Sequence, residues 1–536
     1  MALITILDGY VDEPSMLGVP PYISPYPRSI AGAILDAGHE YEYITIDSHR
    51  NGRRPKGALQ VIISGAMVPG RYLRGMPASI KEMTHIISEF SGQSILVGPL
   101  AKYGKQEEVE GLGADFILRG DPAADIYDLL DSGKETGRRM SMEEWNRWLV
   151  LGAEVVKEHP DFPDPLIAEI ETSRGCVRYL SAGCSFCTEP LFGRPVFREP
   201  EEIVEEATAL SELGVRRFRL GGQACIFSYM ADGVGKTEKP IPNPDAMERL
   251  FSSLHELGSE VLHADNANPA IIAEHPEESK KVAEIIVKYS TPGNTLSFGI
   301  ESADPVVVEA NNLNAGADEV LEAIRLINGV GRKRGKNGMP ELLPGLNFIA
   351  GLRGETKDTY RLNMEFLQRV LKEGLLLRRI NIRQIAETRG KFPGPIRKEF
   401  VRFKRWVREN IDHPMLERMI PQGTVLRDVY LELNRGGTTF GRQVGSYPIL
   451  VGLPYETEIG RFVDVIITGH GQRSITGVEF PTDINSASMG HLQAIPGIGK
   501  KRAAAIVRGR PWSSAEEMLR ALGIDDGEDI RMWIGT

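Results

Sequence analysis

Three of the four cysteines in the chain lie close together, and no other sequence feature constrains its chemistry as strongly. Cys176, Cys184 and Cys187 are separated by gaps of seven and two residues. A disulfide framework would spread its cysteines along a short secreted chain, whereas this chain has 536 residues. The grouping therefore predicts a metal site in a reducing compartment.

The number of thiols indicates which metal centre they hold. Thiolates two residues apart can face one centre, and a third that returns through a short loop completes a three-point site. A four-iron cluster is saturated by four protein thiolates, so three would leave one iron open to a further ligand. The alternative is a structural zinc site, which prefers four ligands including histidine. No histidine lies between Cys176 and Cys187, so the sequence favours a [4Fe-4S] cluster. Cys225 stands apart and is predicted to be a small buried apolar residue.

Composition and charge restrict the class of protein further. The chain carries a net charge of −10 and has a pI near 5.7, which argues against a protein that coats nucleic acid or an anionic membrane. No run approaches the roughly 18 uninterrupted apolar residues of a transmembrane helix. The first residues, 1–9, lack a basic segment and are typical of a β-strand and not of a signal peptide. The expectation is a cytoplasmic protein without a membrane partner.

Residues 1–135 alternate apolar strands with helical segments, which predicts an N-terminal Rossmann-like, doubly wound parallel sheet of the α/β class. Ligands of such sheets bind beyond the carboxyl ends of the strands. The helix is expected over Arg28–Ala37. The predicted strands are Leu3–Leu7, Tyr41–Ile46, Leu59–Ser64, Ser94–Val97 and Asp115–Leu118.

A connector over 136–165 leads to a second alternating region, 166–395. Six strand–helix units predict a partial (β/α)6 barrel, whose active groups are expected at the carboxyl ends of its strands. The cysteines follow the first of these strands. The six predicted strands are Ala168–Thr172, Arg217–Leu220, Glu260–His263, Thr295–Gly299, Leu346–Ile349 and Arg379–Ile382.

The remainder of the chain is predicted as a helical linker over 396–435, a small β-domain over 436–485 and a helix-hairpin-helix domain over 488–536. The β-like runs are Pro448–Leu453 and Phe462–Thr468. The hairpin is indicated by Leu492–Ala503, in which Pro496–Gly499 separates two helices. In such a hairpin the backbone amides meet a phosphate at a helix N-terminus, and Lys500, Lys501 and Arg502 would add charge. Protein docking and nucleic-acid binding are both open for this module.

The cysteine segment resembles the radical S-adenosylmethionine superfamily, in which the open iron binds the amino and carboxylate groups of S-adenosylmethionine. The aromatic Phe186 before the last cysteine and the final two-residue gap match the family pattern. The first gap departs from it, since Val177–Gly183 supply seven residues where three are usual. A loop can bulge while its ends stay in place.

Further segments resemble superfamily motifs in their order and in their position at strand ends. They are Arg219–Gln223, His263–Pro269, Phe298–Asp304 and Asn347–Thr356. By itself each such segment is typical of ordinary turn and helix-capping chemistry. The resemblance implies that S-adenosylmethionine is bound by Phe186, Gly221, Gly222, Gln223, Asn266, Glu301, Ser302, Ile349 and Gly351.

The N-terminal domain resembles the cobalamin-binding domain that precedes the barrel in many radical S-adenosylmethionine methyltransferases. It lacks the Asp-x-His-x-x-Gly motif by which some relatives supply an axial histidine. The alternative is a sheet that has kept the shape and lost the ligand. Methylthiotransferases carry three further cysteines in their N-terminal domain, and residues 1–175 contain none. The resemblance implies that cobalamin is bound by Tyr10, Arg28, Ser64, Gly65, Met67, Gly98 and Gly120.

Together these resemblances imply methylation of an unactivated sp3 carbon, through a 5′-deoxyadenosyl radical and methylcobalamin. The domain order, the seven-residue gap and the terminal hairpin are most similar to an archaeal group that methylates a glutamine α-carbon in methyl-coenzyme M reductase. The implied partners are the α-subunit of that reductase and a reducing electron donor. The competing class is a radical enzyme that modifies tRNA, which would use the β-domain and hairpin to hold RNA. A scaffold without enzymatic activity would leave the cysteines unexplained.

Overall fold

The computed structural model describes residues 1–13, 16–65, 72–524 and 528–534. Its N-terminal unit alternates strands and helices, with strands buried on both faces as expected for a sheet covered by helices. Its elements are β1 (Leu3–Asp8), β2 (Tyr22–Ile23), α1 (Pro25–Asp36), β3 (Glu40–Thr45), α2 (Ile46–Arg50), β4 (Leu59–Ile63), α3 (Ile80–Glu89), β5 (Gln93–Val97), α4 (Pro99–Tyr103), α5 (Gln106–Glu110), β6 (Phe116–Ile117) and α6 (Pro122–Ser132).

Five of these strands form one sheet in the order β3-β1-β4-β5-β6, and every neighbouring pair is parallel. The order reverses direction between β1 and β4, and ligands of open parallel sheets bind beside such a switch point. Local sequence sets the helix boundaries. Pro25 opens the first turn of α1, and Ser79 with Glu82 forms a capping box at the start of α3.

The second unit follows α7 (Met142–Leu151), which packs against α1 and lies inside the segment predicted as a connector. Its elements are β7 (Ile167–Glu171), β8 (Ser173–Arg174), β9 (Val196–Phe197), α8 (Pro200–Leu213), β10 (Arg217–Gly221), α9 (Pro244–Glu256), β11 (Val261–Ala264), α10 (Pro269–Glu274), α11 (Pro276–Tyr289), β12 (Asn294–Glu301), α12 (Pro305–Ala310), α13 (Ala317–Gly331), β13 (Leu342–Ala350), α14 (Lys357–Lys372) and β14 (Ile380–Gln384).

The strands of this unit form two parallel groups, β11-β10-β7-β2 and β12-β13-β14. A parallel bridge between Ala267 and Phe298 joins the groups just beyond the end of β11. The strand β2 comes from the N-terminal part of the chain, and Tyr22 and Ile23 pair with the start of β7. The six predicted strands of this region are all present, with β12 and β13 longer than expected, and the α/β class is confirmed.

The C-terminal part contains two helices, a closed five-stranded barrel and a helical tail. Its elements are α15 (Arg397–Val407), α16 (His413–Met419), β15 (Val425–Arg435), β16 (Thr438–Gln443), β17 (Leu450–Leu453), β18 (Phe462–His470), β19 (Ser474–Phe480), α17 (Met489–Ala494), α18 (Lys500–Arg508), α19 (Ala515–Ala521) and α20 (Glu528–Ile534).

The predicted helical linker over 396–435 is wrong in its last quarter, because β15 occupies 425–435 and closes the small barrel against β16 and β18. The buried residues of β15 are Leu426, Val429 and Leu431. The exposed charged residues Arg427 and Asp428 lie between them and hide the strand pattern in the sequence. None of the helices that the structure describes has the length and apolar character needed to cross a membrane.

Candidate functional site

The three clustered cysteines lie in one loop at the carboxyl end of β7. Cys176 precedes a short helical turn, and the amide of Tyr179 donates to its carbonyl over 3.0 Å. The amide of Cys187 donates to the carbonyl of Cys184 over 3.0 Å, which closes the two-residue gap into a tight turn. All three thiols belong to partly exposed residues, whereas Cys225 is buried. The three thiols lie near enough to one another for their charges to interact, since Cys184 acts on Cys176, and both act on Cys187.

Neighbouring elements hold this loop through its backbone. The guanidinium of Arg389 donates to the carbonyls of Ala182, Cys184 and Cys187, over 2.6, 3.3 and 3.2 Å. Beyond α12, the carbonyl of Asn311 accepts from the amide of Ser185 over 2.9 Å. These bonds satisfy the polar backbone of an irregular loop and fix where its thiols lie. Sequence reasoning did not single out Arg389, which lies far along the chain in a loop without a motif.

The surroundings of the three thiols favour their neutral, protonated form as long as no metal is bound. Burial raises the pKa of Cys176, Cys184 and Cys187 above the ordinary value of a thiol. A coordinated metal ion reverses this, because it deprotonates a bound thiol outright. Arg178 supplies positive charge here, and its guanidinium donates to the sulfur of Cys184 over 3.2 Å. Within the described ranges, no three His, Cys, Asp or Glu side chains are arranged to hold a single metal ion, and this holds for the three clustered cysteines as well.

The glycine pair Gly221–Gly222, at the end of β10, brings the backbone close to two carboxylate side chains. A Cβ at Gly221 would lie 1.8 Å from an oxygen of Glu169, and one at Gly222 would lie 2.6 Å from Cγ of Glu171. Gly222 also has a φ of 74°, which favours glycine. Only glycines fit this turn, which accounts for the motif on steric grounds.

Gln223 and Asn266 meet at the ends of β10 and β11, and they bond to each other and to the sheet. The amide group of Gln223 is fully buried and donates to the carbonyls of Leu220 and Asp265, over 2.9 and 3.0 Å. Asn266 donates to the carbonyl of Gln223 over 3.0 Å and has a φ of 54°. A non-glycine residue in that region stores strain of about 1–3 kcal/mol, which is found mostly at functional sites.

Glu301 ends β12 with a carboxylate that lacks a partner. Its Oε2 atom is buried and makes no hydrogen bond within the described chain, and its φ of 56° turns the backbone out of the strand. Burial raises the pKa of Glu301 to about 8, against the opposing effect of the Arg383 charge. An unpaired buried carboxylate requires a cationic or hydrogen-bonding partner. The amino and sulfonium groups of S-adenosylmethionine are cationic, so this residue fits the cofactor.

The other predicted cofactor residues divide into an apolar group and a backbone group. Phe186 and Ile349 pack in the same apolar cluster as Cys184, so the cysteine loop and β13 share one wall. Gly351 follows β13 with a φ of 97°, and its amide donates to Glu355 over 2.5 Å. The hydroxyl of Ser302 accepts a hydrogen bond from the amide of Asp304 over 3.1 Å. This bond stabilises the turn before α12.

Four of the residues predicted for cobalamin line the carboxyl edge of the N-terminal sheet. The hydroxyl of Ser64 accepts from the amide of Leu100 over 3.0 Å, and a Cβ at Gly98 would lie 3.1 Å from that hydroxyl. Gly65 approaches the backbone of Gly9 on the neighbouring connection, where a Cβ would lie 2.9 Å from its carbonyl oxygen. Tyr10 is buried with a φ of 62°. These close backbone approaches leave little side-chain bulk at the edge.

The remaining three predicted positions differ from this group. Gly120 lies after β6, and its amide donates to Asp125 over 3.0 Å. Arg28 is completely buried in α1, where its guanidinium pairs with Glu206 over 2.7 Å and donates to three backbone carbonyls. The prediction for Arg28 as a cofactor contact is therefore wrong, because a buried internal ion pair already uses this group. Met67 lies outside the described residues.

The carboxyl edges of the two sheets face each other. Arg174, after β7, pairs with Asp121, after β6, over 2.5 Å. It also pairs with Glu171 over 2.9 Å and stacks 4.3 Å above the ring of Trp145. The hydroxyl of Tyr103, at the end of α4, is hydrogen-bonded to Thr188 in the cysteine loop. The edge predicted for cobalamin therefore adjoins the loop predicted for the iron–sulfur cluster.

Sequence reasoning did not anticipate a buried charge network beneath this site. Arg219 on β10 pairs with Glu169 on β7 and with Asp265 after β11, and all three are buried. The hydroxyl of Tyr447 donates to Asp265 and lies 3.2 Å from the hydroxyl of Ser297. Tyr447 belongs to the loop between β16 and β17, so the small barrel inserts a side chain into the radical barrel. These residues are distinguished by their burial, which cannot be read from the sequence.

Protonation of His263 at low pH should destabilise the folded protein where the small barrel packs against the radical barrel. The amide of Ser446 donates to Nδ1 of His263 over 2.9 Å, and burial lowers the pKa of this histidine to about 4. An unfolded histidine titrates near 6.5, so its unfolded form binds more protons at intermediate pH. We expect the stability advantage of the wild type over His263→Gln to be constant above pH ~6.5 and to fall by about 3 kcal/mol towards pH 4. Urea unfolding of both proteins across this range measures it, and a difference independent of pH would contradict it.

The sequence matches one family profile and is similar to two archaeal proteins over most of its length. The profile of the Radical SAM superfamily matches residues 170–367, which span β7 to α14. Protein MJ0274 of Methanocaldococcus jannaschii is 46% identical over 88% of this chain and 92% of its own length. A protein of Archaeoglobus fulgidus is 43% identical over 97% of each chain.

Among solved structures, the cobalamin-dependent S-adenosylmethionine radical enzyme OxsB with aqua-cobalamin bound is 12% identical, with a TM-score of 0.48 over 76% of this chain and 56% of its own. The superfamily match covers the cysteine loop and the strand-end segments described above. The chain carries a radical S-adenosylmethionine domain, and it belongs to one family with MJ0274 and the Archaeoglobus fulgidus protein.

Proposed function

We propose that this protein is a cobalamin-dependent radical S-adenosylmethionine methyltransferase that methylates an unactivated sp3 carbon. The observation that carries the proposal is the contact between the two ligand-binding edges, made by the Arg174–Asp121 pair of 2.5 Å. A cobalamin at the first edge and S-adenosylmethionine at the second would then share one enclosed space. Bringing reacting groups together in this way supplies a large part of the rate enhancement.

Each residue group has a defined task in this proposal. Cys176, Cys184 and Cys187 would hold the iron–sulfur cluster, and Arg389 fixes their loop. Glu301 would accept the cationic part of S-adenosylmethionine. When bound, the cluster supplies the electron that cleaves S-adenosylmethionine, and cobalamin supplies the methyl group. The protein binds and orients these groups and keeps water away.

The leading substrate is a glutamine of the methyl-coenzyme M reductase α-subunit, which would be methylated at its α-carbon. This choice rests on the likeness of domain order and cysteine spacing described above, which is an argument by analogy. The exposed residues Lys500, Lys501 and Arg502 at the start of α18 would contribute to docking of the protein substrate.

Corrinoid binding and product analysis test this proposal. We expect anaerobically reconstituted protein to retain about one equivalent of hydroxocobalamin through gel filtration, visible in its absorption spectrum. With S-adenosylmethionine, a reductant and a reductase peptide, mass spectrometry should detect one added methyl group on glutamine. Reactions without cobalamin are the control. Protein that retains no corrinoid would disprove the methyltransferase proposal. Methylation of tRNA and not of the peptide would show that the substrate is tRNA.

A further inference from the structure

A large cavity lies where the three parts of the chain meet. It has a volume of about 820 Å³ and lies between β14, α15, the small barrel and the residues Asp12, Leu17, Val19, Pro20 and Tyr22. A smaller cavity of about 260 Å³ adjoins it and shares Arg379, Asp412, Tyr447 and Arg473. Volumes of several hundred Å³ suit a small molecule or a cofactor portion.

The lining of the large cavity is strongly basic. Its carboxylates are Asp12 and Asp412, and burial raises the pKa of Asp412 to about 6 against the opposing charges of Arg473, Arg408 and Arg378. Asp12 is engaged by the hydroxyl of Tyr72. The basic side chains of the lining are Arg379, Arg383, Lys404, Arg405, Arg408, Arg442 and Arg473.

Few of these arginines have an acidic partner. Arg442 pairs with Glu432 over 2.6 Å, and Arg473 reaches Asp412 only at 3.7 Å. Across the part of the chain that the structure describes, no ion pair is formed by the other four arginines of the lining, Arg379, Arg383, Arg405 and Arg408. This contrasts with the buried arginines elsewhere, since Arg28 and Arg219 each have a carboxylate.

Arg378, in the lining of the smaller cavity, and Arg379, which lines both cavities, add to the excess of positive charge. Arg378 donates to the carbonyl of Tyr447, and Arg379 stacks 3.9 Å above the ring of the same tyrosine. Burial and the neighbouring Arg379 lower the pKa of Arg378 to about 9. Guanidinium groups that outnumber the carboxylates near them are costly to bury, and an anionic ligand would reduce this cost.

We propose that this cavity binds a phosphate group. One carboxylate would neutralise a single arginine, whereas a phosphate offers several acceptor oxygens to planar guanidinium donors and suits a cluster of them. The phosphate has two possible sources, the phosphodiester of the cobalamin nucleotide tail and a phosphorylated substrate. The inference goes beyond the proposed reaction and does not depend on it, because phosphate binding is measurable without turnover.

Titration of the full-length reconstituted protein with inorganic pyrophosphate tests the proposal by calorimetry. The double variant Arg408→Gln/Arg473→Gln should bind pyrophosphate at least about tenfold more weakly than the wild type, because each arginine contributes charge-assisted hydrogen bonds. Arg473→Gln alone, at a half-exposed side chain, should show a smaller loss and serves if the double variant does not fold. Arg435→Gln, at an exposed position of β15 outside the cavity, should bind as the wild type does.

Binding of hydroxocobalamin and of cobinamide, which lacks the nucleotide tail, distinguishes the two sources. If the double variant weakens cobalamin binding and not cobinamide binding, the cavity holds the tail phosphate. If neither corrinoid is affected while pyrophosphate binding is lost, the phosphate comes from the substrate. Equal pyrophosphate binding by wild type and variants, or citrate bound as tightly as pyrophosphate, would overturn the proposal. Failure of corrinoid binding would count against the methyltransferase alone.

Discussion

The Cys184→Ala protein is expected to hold no four-iron cluster and to form no 5′-deoxyadenosine from S-adenosylmethionine. Cys184 has the thiol that Arg178 contacts over 3.2 Å, and it packs with Phe186 and Ile349 where the cofactor is predicted to lie. Loss of a directly coordinating thiolate should exceed the roughly 10–100-fold loss that follows from changes in outer-shell partners. Activity should therefore fall by more than about 100-fold. Anaerobic reconstitution, visible absorption and chromatography of the nucleoside product measure both effects.

Cys225→Ala is the matched control for this experiment. Cys225 is buried, and its sulfur accepts from the amide of Asn268 over 3.1 Å, so it serves local packing beside β11. Its replacement should lower stability by about 1 kcal/mol and leave the cluster absorption and product formation in place. Turnover retained by Cys184→Ala, or lost equally in both variants, would refute the assignment of the cluster ligands.

The metal-site hypothesis and the parallel α/β class of the first two units could be drawn from the sequence because each signal is local. Three thiols in one short loop predict a metal site without reference to the rest of the chain. Alternating apolar runs and helical segments likewise predict parallel α/β units. The glycine pair Gly221–Gly222 could also be placed correctly, since tight turns at strand ends are local features.

The failures occurred where the outcome depends on distant contacts. Arg28 follows a long polar loop as a cofactor contact would, yet its partner Glu206 lies in another unit. The strand β2 has only two residues and is held by β7, so no periodicity reveals it. Tyr447 is an ordinary loop residue in sequence and reaches the barrel interior because the small barrel packs against it. Side-chain roles of this kind are set by tertiary packing and not by local pattern.

Contacts between residues far apart in the sequence also fix the position of the predicted cobalamin edge relative to the predicted cluster loop. The segment from β2 into α1 links the N-terminal sheet to the radical barrel, because β2 adds a strand beside β7 and α1 packs against α7. Strand pairing gives this junction a fixed register, and buried charge gives it specificity. The position of one predicted cofactor relative to the other therefore depends on residues that contact neither.

Glu206→Gln should lower the free energy of unfolding by about 3–5 kcal/mol, since removal of one member of a buried ion pair leaves an uncompensated charge. Glu206 on α8 accepts from Arg28 over 2.7 Å and from Arg198 over 2.5 Å. All three side chains are completely buried, and glutamine keeps the shape of the side chain while it removes the charge. Two guanidinium groups from different elements would then lie together without a carboxylate. Urea unfolding followed by circular dichroism measures the loss.

The neighbouring Glu205→Gln supplies the control, because Glu205 occupies an exposed position on the same helix. Its free energy of unfolding should change by less than about 0.5 kcal/mol, as for most surface substitutions. Glu206 also joins α8 to α1, so its loss should expose the junction between the two units to limited proteolysis before the barrel itself unfolds. Equal stability of the two variants would show that the Arg28–Glu206–Arg198 cluster does not hold the units together. The register of the two cofactor edges would then have to come from the other contacts between the units, which are the pairing of β2 with β7, the packing of α1 on α7 and the Arg174–Asp121 pair.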